Sequence, residues 1–354
     1  MRFGRKRIWA AAGVVIGILV LSSVTYLRGK QQMNRYSATF LGVFDTVTEV
    51  VGYADSEEEF TRQVALLKGK LTEYHRLYDI YHEYEGINNI KTVNDHAGVA
   101  PVQVDREIID LLEYGRQMYE MTGGKNNIAM GSVLSIWHDY REEGNLDPEQ
   151  ARLPERELLE EAGMHTDMDQ MIIDEEKSTV YLADKEMSLD VGSIGKGYAV
   201  LKTVEYAKSL GMERMLLSVG GNISAIGGKV TGESWHLGIQ NPDRESEQAY
   251  VRTVEAKDVC VVTSGDYQRY YTVDGERYCH IIDPDTWMPA RDFSSVTIIA
   301  PDSGTADGLT TAVFCMSYQE GRKLIAGMEE AEAMWIFTDG SIRYSDGFEG
   351  YIVK

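Results

Sequence analysis

The sequence predicts an α+β fold, because short apolar strand patterns alternate with amphipathic helical patterns along most of the chain. Asp274-Gly275 and Asp339-Gly340 each lie between strand-like segments, which is a strong signal for an antiparallel hairpin. Hydrophobic residues make up 43% of the 354 residues, enough to form a packed core. We therefore expect mixed or antiparallel sheets packed against helices, in one domain over residues 37–354.

The predicted helices follow from capping signals and from the spacing of apolar residues. Ser56 and Glu59 form a capping-box pattern before the first of them. The expected helices run from Ser56 to about His75, from Asp105 to Gly123-Gly124, from Gly197 to Gly211, and onward from about Thr305. Residues 139–170 are strongly charged, and we expect an exposed excursion with short helices there.

The predicted strands are short and concentrate in the C-terminal half. Residues 37–53 also have a strand pattern, interrupted at Phe44-Asp45-Thr46. The expected later strands are Met215–Val219, Trp235–Gln240, Val251–Glu255, Val259–Thr263, Tyr270–Val273, Arg277–Ile282 and Val296–Ala300.

The N-terminus predicts a membrane anchor. Residues 1–7 contain four basic side chains, and residues 8–27 form an uncharged run long enough to cross a bilayer. By the positive-inside rule, residues 1–7 are expected in the cytoplasm and everything after the span outside it. We expect an uncleaved signal anchor, then a polar linker over residues 28–36. A cleaved signal peptide is the alternative, but no good small-residue cleavage site follows the run.

Charge and cysteine content exclude some classes of function. The formal net charge is −21, which argues against nucleic acid as a partner because phosphate backbones require a basic surface. Cys260, Cys279 and Cys315 lack metal-ligand spacing. Two of them lie in apolar or aromatic strand patterns, where we expect small buried hydrophobes. A disulfide outside the cell is possible, but its pairing cannot be derived from sequence.

The segment from Leu189 to Ala199 has the composition of an anion-binding turn. It combines Asp190, three glycines and Lys196 just before a helical pattern. Glycines allow close backbone approach to a ligand, and a helix N-terminus offers free N–H groups to an anion. The segment predicts a site for a phosphorylated ligand, although most glycine-rich turns are only tight connections.

Three further segments carry polar side chains at suggestive spacing, each with an ordinary structural alternative. Asp307 and Thr311 share one helix face and suit magnesium, but they are also ordinary capping residues. His280 offers a base, and Asp283 offers a group that orients the ring or binds a metal, but a lone histidine is more often structural. The stretch Lys125 to Asn127 offers paired donors and acceptors for a heterocycle edge, or a plain helix cap.

The order and spacing of these blocks resemble the ApbE family, the FAD:protein FMN transferases. The resemblance spans roughly residues 40 to 340. The matching blocks are Asp-x-Gly-x-Ile-x-Lys-Gly-Tyr-Ala at 190–199, Gly-Gly-Asn at 220–222, Ser-Gly-Asp-Tyr at 264–267, His-x-Ile-Asp-Pro at 280–284 and Ala-Asp-x-x-x-Thr at 306–311, with Phe44-Asp45-Thr46 and the segment from Gly124 to Trp137 as weaker matches.

The resemblance implies an extracytoplasmic enzyme that binds FAD and Mg²⁺ and transfers FMN to a threonine or serine hydroxyl of a target protein, with release of AMP. The residues it places at FAD are Phe44, Tyr81, Lys125, Asn126, Asn127, Asp190, Lys196, His280 and Ile281. Those it places at the metal are Asp307, Thr311 and the backbone carbonyl of Ser193. We add His280 as the base for the acceptor hydroxyl, with Asp283 either as the group that orients it or as a supporting group outside the direct contacts.

Two departures from the family pattern affect these expectations. Trp287 stands where the family commonly has glycine, so we expect ordinary backbone angles there. We expect its ring to pack against the surface; stacking on an aromatic ring or restricting the target peptide are the alternatives. Lys125 to Asn127 replace an apolar-then-acidic pattern, which leaves the recognition of the flavin or adenine open. Two other functions also stay open: hydrolysis of FAD to FMN and AMP by the same site, and flavin binding without catalysis.

Overall fold

The computed structural model describes residues 33–354 and confirms the predicted α+β class. The predicted cytoplasmic segment and membrane span lie outside the described residues. Within residues 33–354, no helix is both long and apolar enough to cross a membrane.

The elements of the described chain are as follows. The helices are α1 (Glu57–Tyr78), α2 (Ile90–Asp95), α3 (Arg106–Met121), α4 (Gly131–Leu146), α5 (Arg156–Gly163), α6 (Gly195–Ser209), α7 (Ser303–Phe314) and α8 (Tyr318–Ala326). The strands are β1 (Asn34–Val43), β2 (Thr46–Ala54), β3 (Val102–Gln103), β4 (Met171–Asp174), β5 (Thr179–Leu182), β6 (Met215–Val219), β7 (Asn222–Ile226), β8 (Trp235–Gln240), β9 (Tyr250–Ala256), β10 (Cys260–Gly265), β11 (Tyr270–Val273), β12 (Glu276–Cys279), β13 (Phe293–Ala300), β14 (Glu332–Phe337) and β15 (Ile342–Tyr344).

The main sheet has eight strands in the order β1-β2-β6-β7-β10-β13-β14-β15, and every neighbouring pair is antiparallel. Helices α1, α6 and α7 pack on one of its faces, and α3 packs against α1 and α7. The β8–β9 ribbon covers the other face through Trp235, Leu237 and Ile239. A third apolar cluster joins α4 and α5 to the β11–β12 ribbon around Trp137 and Tyr271.

Two tight turns lie side by side at one end of the main sheet. Phe44-Asp45 joins β1 to β2, and Gly220-Gly221 joins β6 to β7; all four residues have positive φ, as type I′ hairpin turns require. A Cβ on Gly220 would lie 2.5 Å from Thr46 Oγ1, so only glycine allows this approach. The contact brings the 44–46 and 220–222 motifs together.

Several predicted boundaries need correction. The first helix continues to Tyr78, and Ser56 accepts the Glu59 N–H at 3.2 Å, which confirms the predicted N-cap. The reciprocal half of the capping box is wrong, because the Glu59 carboxylate accepts a hydrogen bond from Gln63 instead. β1 begins at Asn34, so the predicted linker is too long at its end. All three cysteines are buried, which includes the two for which burial was expected, and all three are free.

Candidate functional site

The centre of the candidate site is a close contact between α6 and α7. The Gly197 N–H donates to Asp307 Oδ2 at 2.7 Å. A Cβ on Gly197 would lie 2.3 Å from the Asp307 Cβ and 2.4 Å from the Ser303 carbonyl oxygen. Only glycine lets the two helices approach this closely, which explains one glycine of the 190–199 motif.

This contact leaves the Ser193 carbonyl available to a ligand. In a helix the N–H of residue 197 would donate to the carbonyl of residue 193, four positions back. Asp307 takes that N–H, and no other donor within residues 33–354 reaches the Ser193 carbonyl oxygen. The predicted metal contact through this carbonyl therefore has a physical basis in the local hydrogen bonding.

Asp307 does not cap its own helix, so the ordinary alternative of a capping role in α7 is wrong. Asp302 is the N-cap and accepts the Thr305 N–H at 2.8 Å. Asp307 lies in the second turn and is only 5% exposed. Burial raises the pKa of its carboxyl, while nearby Lys196 and the Gly197 N–H oppose that rise.

A buried amide without a partner lies beside Asp307. The Asn222 side chain is close enough to the Asp307 carboxyl to favour its ionised form. Neither its Oδ1 nor its Nδ2, however, makes a hydrogen bond of normal geometry within the described chain. A buried amide in this state costs about 1–3 kcal/mol, which indicates that a ligand completes the site.

Asn126 holds the site together from a third direction. Its Nδ2 donates to the Gly308 carbonyl at 2.9 Å, and its Oδ1 accepts from Ser193 Oγ at 2.9 Å. Asn127 Nδ2 donates to the Thr166 carbonyl at 2.9 Å, while its Oδ1 accepts the Ala129 N–H at 2.8 Å. Both amides thus have protein partners, and their contact with FAD stays a prediction.

Lys125 is likewise engaged within the protein. Its Nζ lies 2.7 Å from Asp283 Oδ1 and 2.9 Å from Asp285 Oδ2. Within residues 33–354 Asp283 makes no hydrogen bond to His280, so of the two predicted roles only that of a supporting group stays open. Asp283 instead fixes Lys125 and, through its Oδ1, accepts the Asp285 N–H at 3.2 Å.

His280 is oriented by a backbone carbonyl. Its Nδ1 lies 3.2 Å from the Arg269 carbonyl oxygen, which also accepts the His280 backbone N–H at 3.0 Å. A carbonyl only accepts, so Nδ1 carries the proton and Nε2 keeps a lone pair. Burial of the ring, with the Arg269 and Arg141 guanidinium groups, lowers the pKa of His280 to about 4. The ring is neutral at pH 7.

Asp190 lies in the same region as His280. Its Oδ1 accepts the Gly192 N–H at 2.8 Å. Burial raises the pKa of this carboxyl, and the Gly192 N–H, His138, Arg269 and Arg141 all oppose the rise.

The structure brings in two guanidinium groups, Arg141 of α4 and Arg269, that sequence reasoning missed. Neither they nor Lys196 form an ion pair with a carboxylate within residues 33–354. In a chain of net charge −21, three such cations near one another indicate an anion site. Arg269 follows the Ser-Gly-Asp-Tyr motif by two residues, the one sequence signal that could have found it.

The remaining predicted residues lie in different settings. Phe44 is half-buried, and its N–H donates to His75 Nδ1 at 3.3 Å. The Tyr81 side chain is 54% exposed and packs against the His138 ring. Ile281 is buried in the core, so only its backbone can reach a ligand. Thr311 is partly exposed, four residues after Asp307 on α7.

The prediction of ordinary backbone angles at Trp287 is wrong, because its φ is +59°. The expectation that its ring packs against the surface is confirmed: a Cβ on Gly163 would lie 2.3 Å from the Trp287 ring. Trp137 Nε1 donates to the Trp287 carbonyl at 2.8 Å, which ties this turn to α4.

Comparison with known proteins places this geometry among flavin-transferring enzymes. The model of the ApbE family matches residues 44–335. The chain is 33% identical over 348 residues to the FAD:protein FMN transferase of Treponema pallidum (strain Nichols), covering 94% of this chain and 93% of that protein. It is 28% identical to a FAD:protein FMN transferase of Klebsiella pneumoniae (strain 342), covering 75% and 83%.

Solved structures of ApbE proteins have the same fold as this chain. The ApbE protein of Thermotoga maritima superposes with a TM-score of 0.79 at 29% identity, covering 91% of this chain and all of that one. The flavin transferase ApbE of Vibrio cholerae superposes with a TM-score of 0.73 at 23% identity, a likeness that supports the fold alone.

Proposed function

The chain belongs to the ApbE family, and we propose that this enzyme, a flavin transferase, moves FMN from FAD to a threonine or serine hydroxyl of an acceptor protein and releases AMP. The observation that carries the proposal is the assembly at one end of the sheet. There the Ser193 carbonyl and the Asp307 carboxylate lie beside Lys196, in the same region as His280.

The residues present fit a magnesium ion. Within residues 33–354 no group of three or more His, Cys, Asp or Glu side chains forms a metal cluster. Magnesium does not need one, because it usually keeps several waters and takes one or two carboxylates plus substrate phosphates. Asp307, Thr311 and the Ser193 carbonyl would hold it, with the unpaired Asn222 amide beside them. Magnesium bound there would neutralise charge on the pyrophosphate oxygens of FAD.

The protein's own groups supply the rest of the reaction. The acceptor hydroxyl oxygen forms a bond to the phosphorus of the FMN half, and the phosphoanhydride bond to AMP breaks. Nε2 of neutral His280 takes the hydroxyl proton. Lys196, Arg141 and Arg269 offset the negative charge that the phosphates bring to the site. A base that is unprotonated at pH 7 matters because a hydroxyl is a poor nucleophile.

Mass spectrometry of an acceptor domain tests the proposal. The full-length chain is incubated with FAD, Mg²⁺ and a candidate acceptor, and a mass increase of one FMN on the acceptor is expected, together with free AMP. An acceptor whose threonine is replaced by valine should show no increase. FMN release at the same rate without acceptor would indicate a hydrolase, and retention of FAD with no AMP would indicate a binding protein; either result contradicts the proposal.

We also propose that residues 8–27 anchor the enzyme in the cell membrane with residues 37–354 outside the cytoplasm. The basic segment 1–7 and the uncharged run after it support this orientation. Protease added to intact spheroplasts should digest the domain, whereas protection from the protease would contradict the orientation.

A further inference from the structure

A single carboxylate organises the loop that follows α1. Asp79 is 9% exposed, and its Oδ1 accepts the Tyr81 N–H at 2.7 Å and the His82 N–H at 3.1 Å. Its Oδ2 accepts the Tyr84 hydroxyl at 2.7 Å and lies 3.0 Å from His82 Nδ1. Four polar groups of residues 81–84 thus converge on one side chain.

These bonds keep Asp79 ionised. Burial alone would raise the pKa of its carboxyl, but the Tyr81 N–H, the Tyr84 hydroxyl and His82 hold the pKa below its ordinary value. Asn89 assists from the far side of the loop, since its Nδ2 donates to the His82 carbonyl at 2.8 Å. The loop has little regular structure of its own, so these side-chain bonds define its shape.

The loop presents Tyr81 to the candidate site. The Tyr81 ring packs against the His138 ring of α4 with centroids 5.4 Å apart and planes inclined by 36°. Partial burial and the Asp190 carboxylate raise the pKa of the Tyr81 hydroxyl, while Arg141 and Arg269 oppose the rise. The side chain nevertheless stays 54% exposed, so part of the ring surface remains open to a ligand.

An exposed aromatic ring held in one orientation is suited to stack on a flat heterocycle. A free Tyr81 loop would have to lose conformational entropy on binding, whereas a loop already fixed by Asp79 loses less. His138 supports the ring from behind and is itself held by Arg141, whose Nη2 lies 2.8 Å from His138 Nδ1.

We propose that Asp79 is a positioning residue that fixes the Tyr81 ring against His138 as a stacking platform for an aromatic ring system of FAD. The proposal rests on the proposed function, because it takes FAD as the ligand. Asp79 itself does not touch FAD, and its influence passes through Tyr81. It therefore affects the binding of FAD and leaves the chemical step nearly unchanged.

A double-mutant cycle tests this. FAD affinity is measured by flavin fluorescence for the full-length wild type, Asp79→Asn, Tyr81→Ala and the double variant. Each single change is expected to raise the Kd by roughly 3- to 10-fold, the range that aromatic stacking supplies. The double variant should bind no more than about 2-fold worse than Tyr81→Ala, because both changes remove the same platform. The KM for FAD should rise while kcat stays within about 2-fold.

Controls separate positioning from loss of fold. Glu332→Gln also alters a carboxylate with several bonds, to Ser345 Oγ and the Gly347 N–H, and should leave the Kd unchanged. Tyr84→Phe removes one of the four hydrogen bonds to Asp79 and should raise the Kd by less than Asp79→Asn does. Competition with AMP or FMN identifies the ring that stacks on Tyr81. If it is adenine, AMP should lose affinity in Tyr81→Ala; if it is the flavin, FMN should lose affinity.

Two outcomes overturn the inference. One is a Kd that Asp79→Asn raises equally in the wild-type and Tyr81→Ala backgrounds; the other is a fall in kcat with an unchanged KM. Failure of the proposed function looks different, because the wild type itself would then bind no FAD or form no flavinylated acceptor.

Discussion

The candidate site has two parts that are built in opposite ways. The inner wall, consisting of Asn126, Ser193, Gly197 and Asp307, is tied by hydrogen bonds of 2.7 to 2.9 Å that link α6, α7 and the segment before α4. Its geometry is fixed before any ligand arrives. Each of these contacts is short-range and joins segments far apart in sequence.

The rim, consisting of Tyr81, His138, Arg141 and Arg269, has contacts of a different kind. Tyr81 and His138 meet ring to ring, and Arg141 and Arg269 have no carboxylate partner in the described chain. The two guanidinium groups interact unfavourably, since Arg269 adds to the burial that lowers the pKa of Arg141. Such an arrangement becomes favourable when an anion binds between them.

The wall and the rim are therefore suited to different tasks. In the proposed reaction the wall holds groups that must not move during transfer of the FMN phosphate, because small displacements there are costly. The rim holds a half-exposed ring and two guanidinium groups that form no ion pair within residues 33–354, so a bound anion would add contacts there. Wall substitutions should therefore affect the chemical step or the fold, and rim substitutions should affect binding and pH dependence.

The largest expected effect comes from Asp307→Asn. Asparagine keeps an oxygen that can accept the Gly197 N–H, so the fold should persist, but the negative charge is lost. We expect kcat for FMN transfer to fall by about 100-fold or more, the usual scale for removing an electrostatic group that acts on the transition state. Asp302→Asn is the matched control on the same helix, since asparagine also caps well and transfer should be nearly unchanged. Equal losses in the two variants would contradict the assignment.

Gly197→Ala should act on the fold of the wall. The new Cβ would lie 2.4 Å from the Ser303 backbone oxygen, so α6 and α7 must separate. Overpacking of this kind costs roughly 1–3 kcal/mol, measurable as a fall in the free energy of urea unfolding. Gly69→Ala in α1 is the control: its Cβ meets nothing within 4 Å, so it should stabilise by about 0.5–1 kcal/mol. A stable, fully active Gly197→Ala protein would show that the close contact is not needed.

The wall could be found from sequence and most of the rim could not, for a physical reason. Close backbone approach at Gly197 and Gly220 requires glycine, and the buried Asp307 requires a donor nearby; such constraints leave motifs at fixed spacing. Arg141 and His138 lie on a helix whose amphipathic pattern is compatible with many side chains at those positions. Their function arises only when α4 packs beside the loop that carries Tyr81.

The secondary structure was likewise predictable where the sequence carries a local signal and not elsewhere. Strands with clear turn signals were predicted to the residue, as for Met215–Val219 and Tyr270–Val273. The orienting partner of His280 could not be predicted, because a backbone carbonyl leaves no side-chain signal. The positive φ of Trp287 was missed although glycine, the residue that the family commonly has at this position, is the one that such a φ favours.

The protonation of His280 depends on the rim, because Arg269 and Arg141 help to lower its pKa. Its pKa of about 4 lies below the ordinary value, so the unfolded state binds a proton as the pH falls below about 6.5 while the folded state resists until about 4. Stability should therefore decrease over that window, and less so in His280→Gln. With His280 as the proposed base, already unprotonated over this range, kcat/KM should be nearly flat between pH 5 and 8. Arg269→Gln removes a positive charge that lowers the pKa of His280, so the fall of kcat/KM at low pH should begin at a higher pH. If that fall begins at the same pH as in the wild type, Arg269 does not influence His280.

The smallest effect is expected at Trp287, which packs against α5. Its φ of +59° disfavours every residue except glycine, while its ring gains packing against Gly163. Trp287→Gly relieves the unfavourable φ but loses the packing against Gly163. The free energy of unfolding should therefore change by less than about 1 kcal/mol, and the rate of FMN transfer by less than about 2-fold. Trp287→Ala loses the packing but keeps the unfavourable φ, and should be roughly 1 kcal/mol less stable than Trp287→Gly in thermal unfolding. Alanine normally stabilises relative to glycine, so the reversed order isolates the backbone strain from the packing. If alanine proves the more stable of the two, the strain at residue 287 is negligible and packing alone holds the ring against α5.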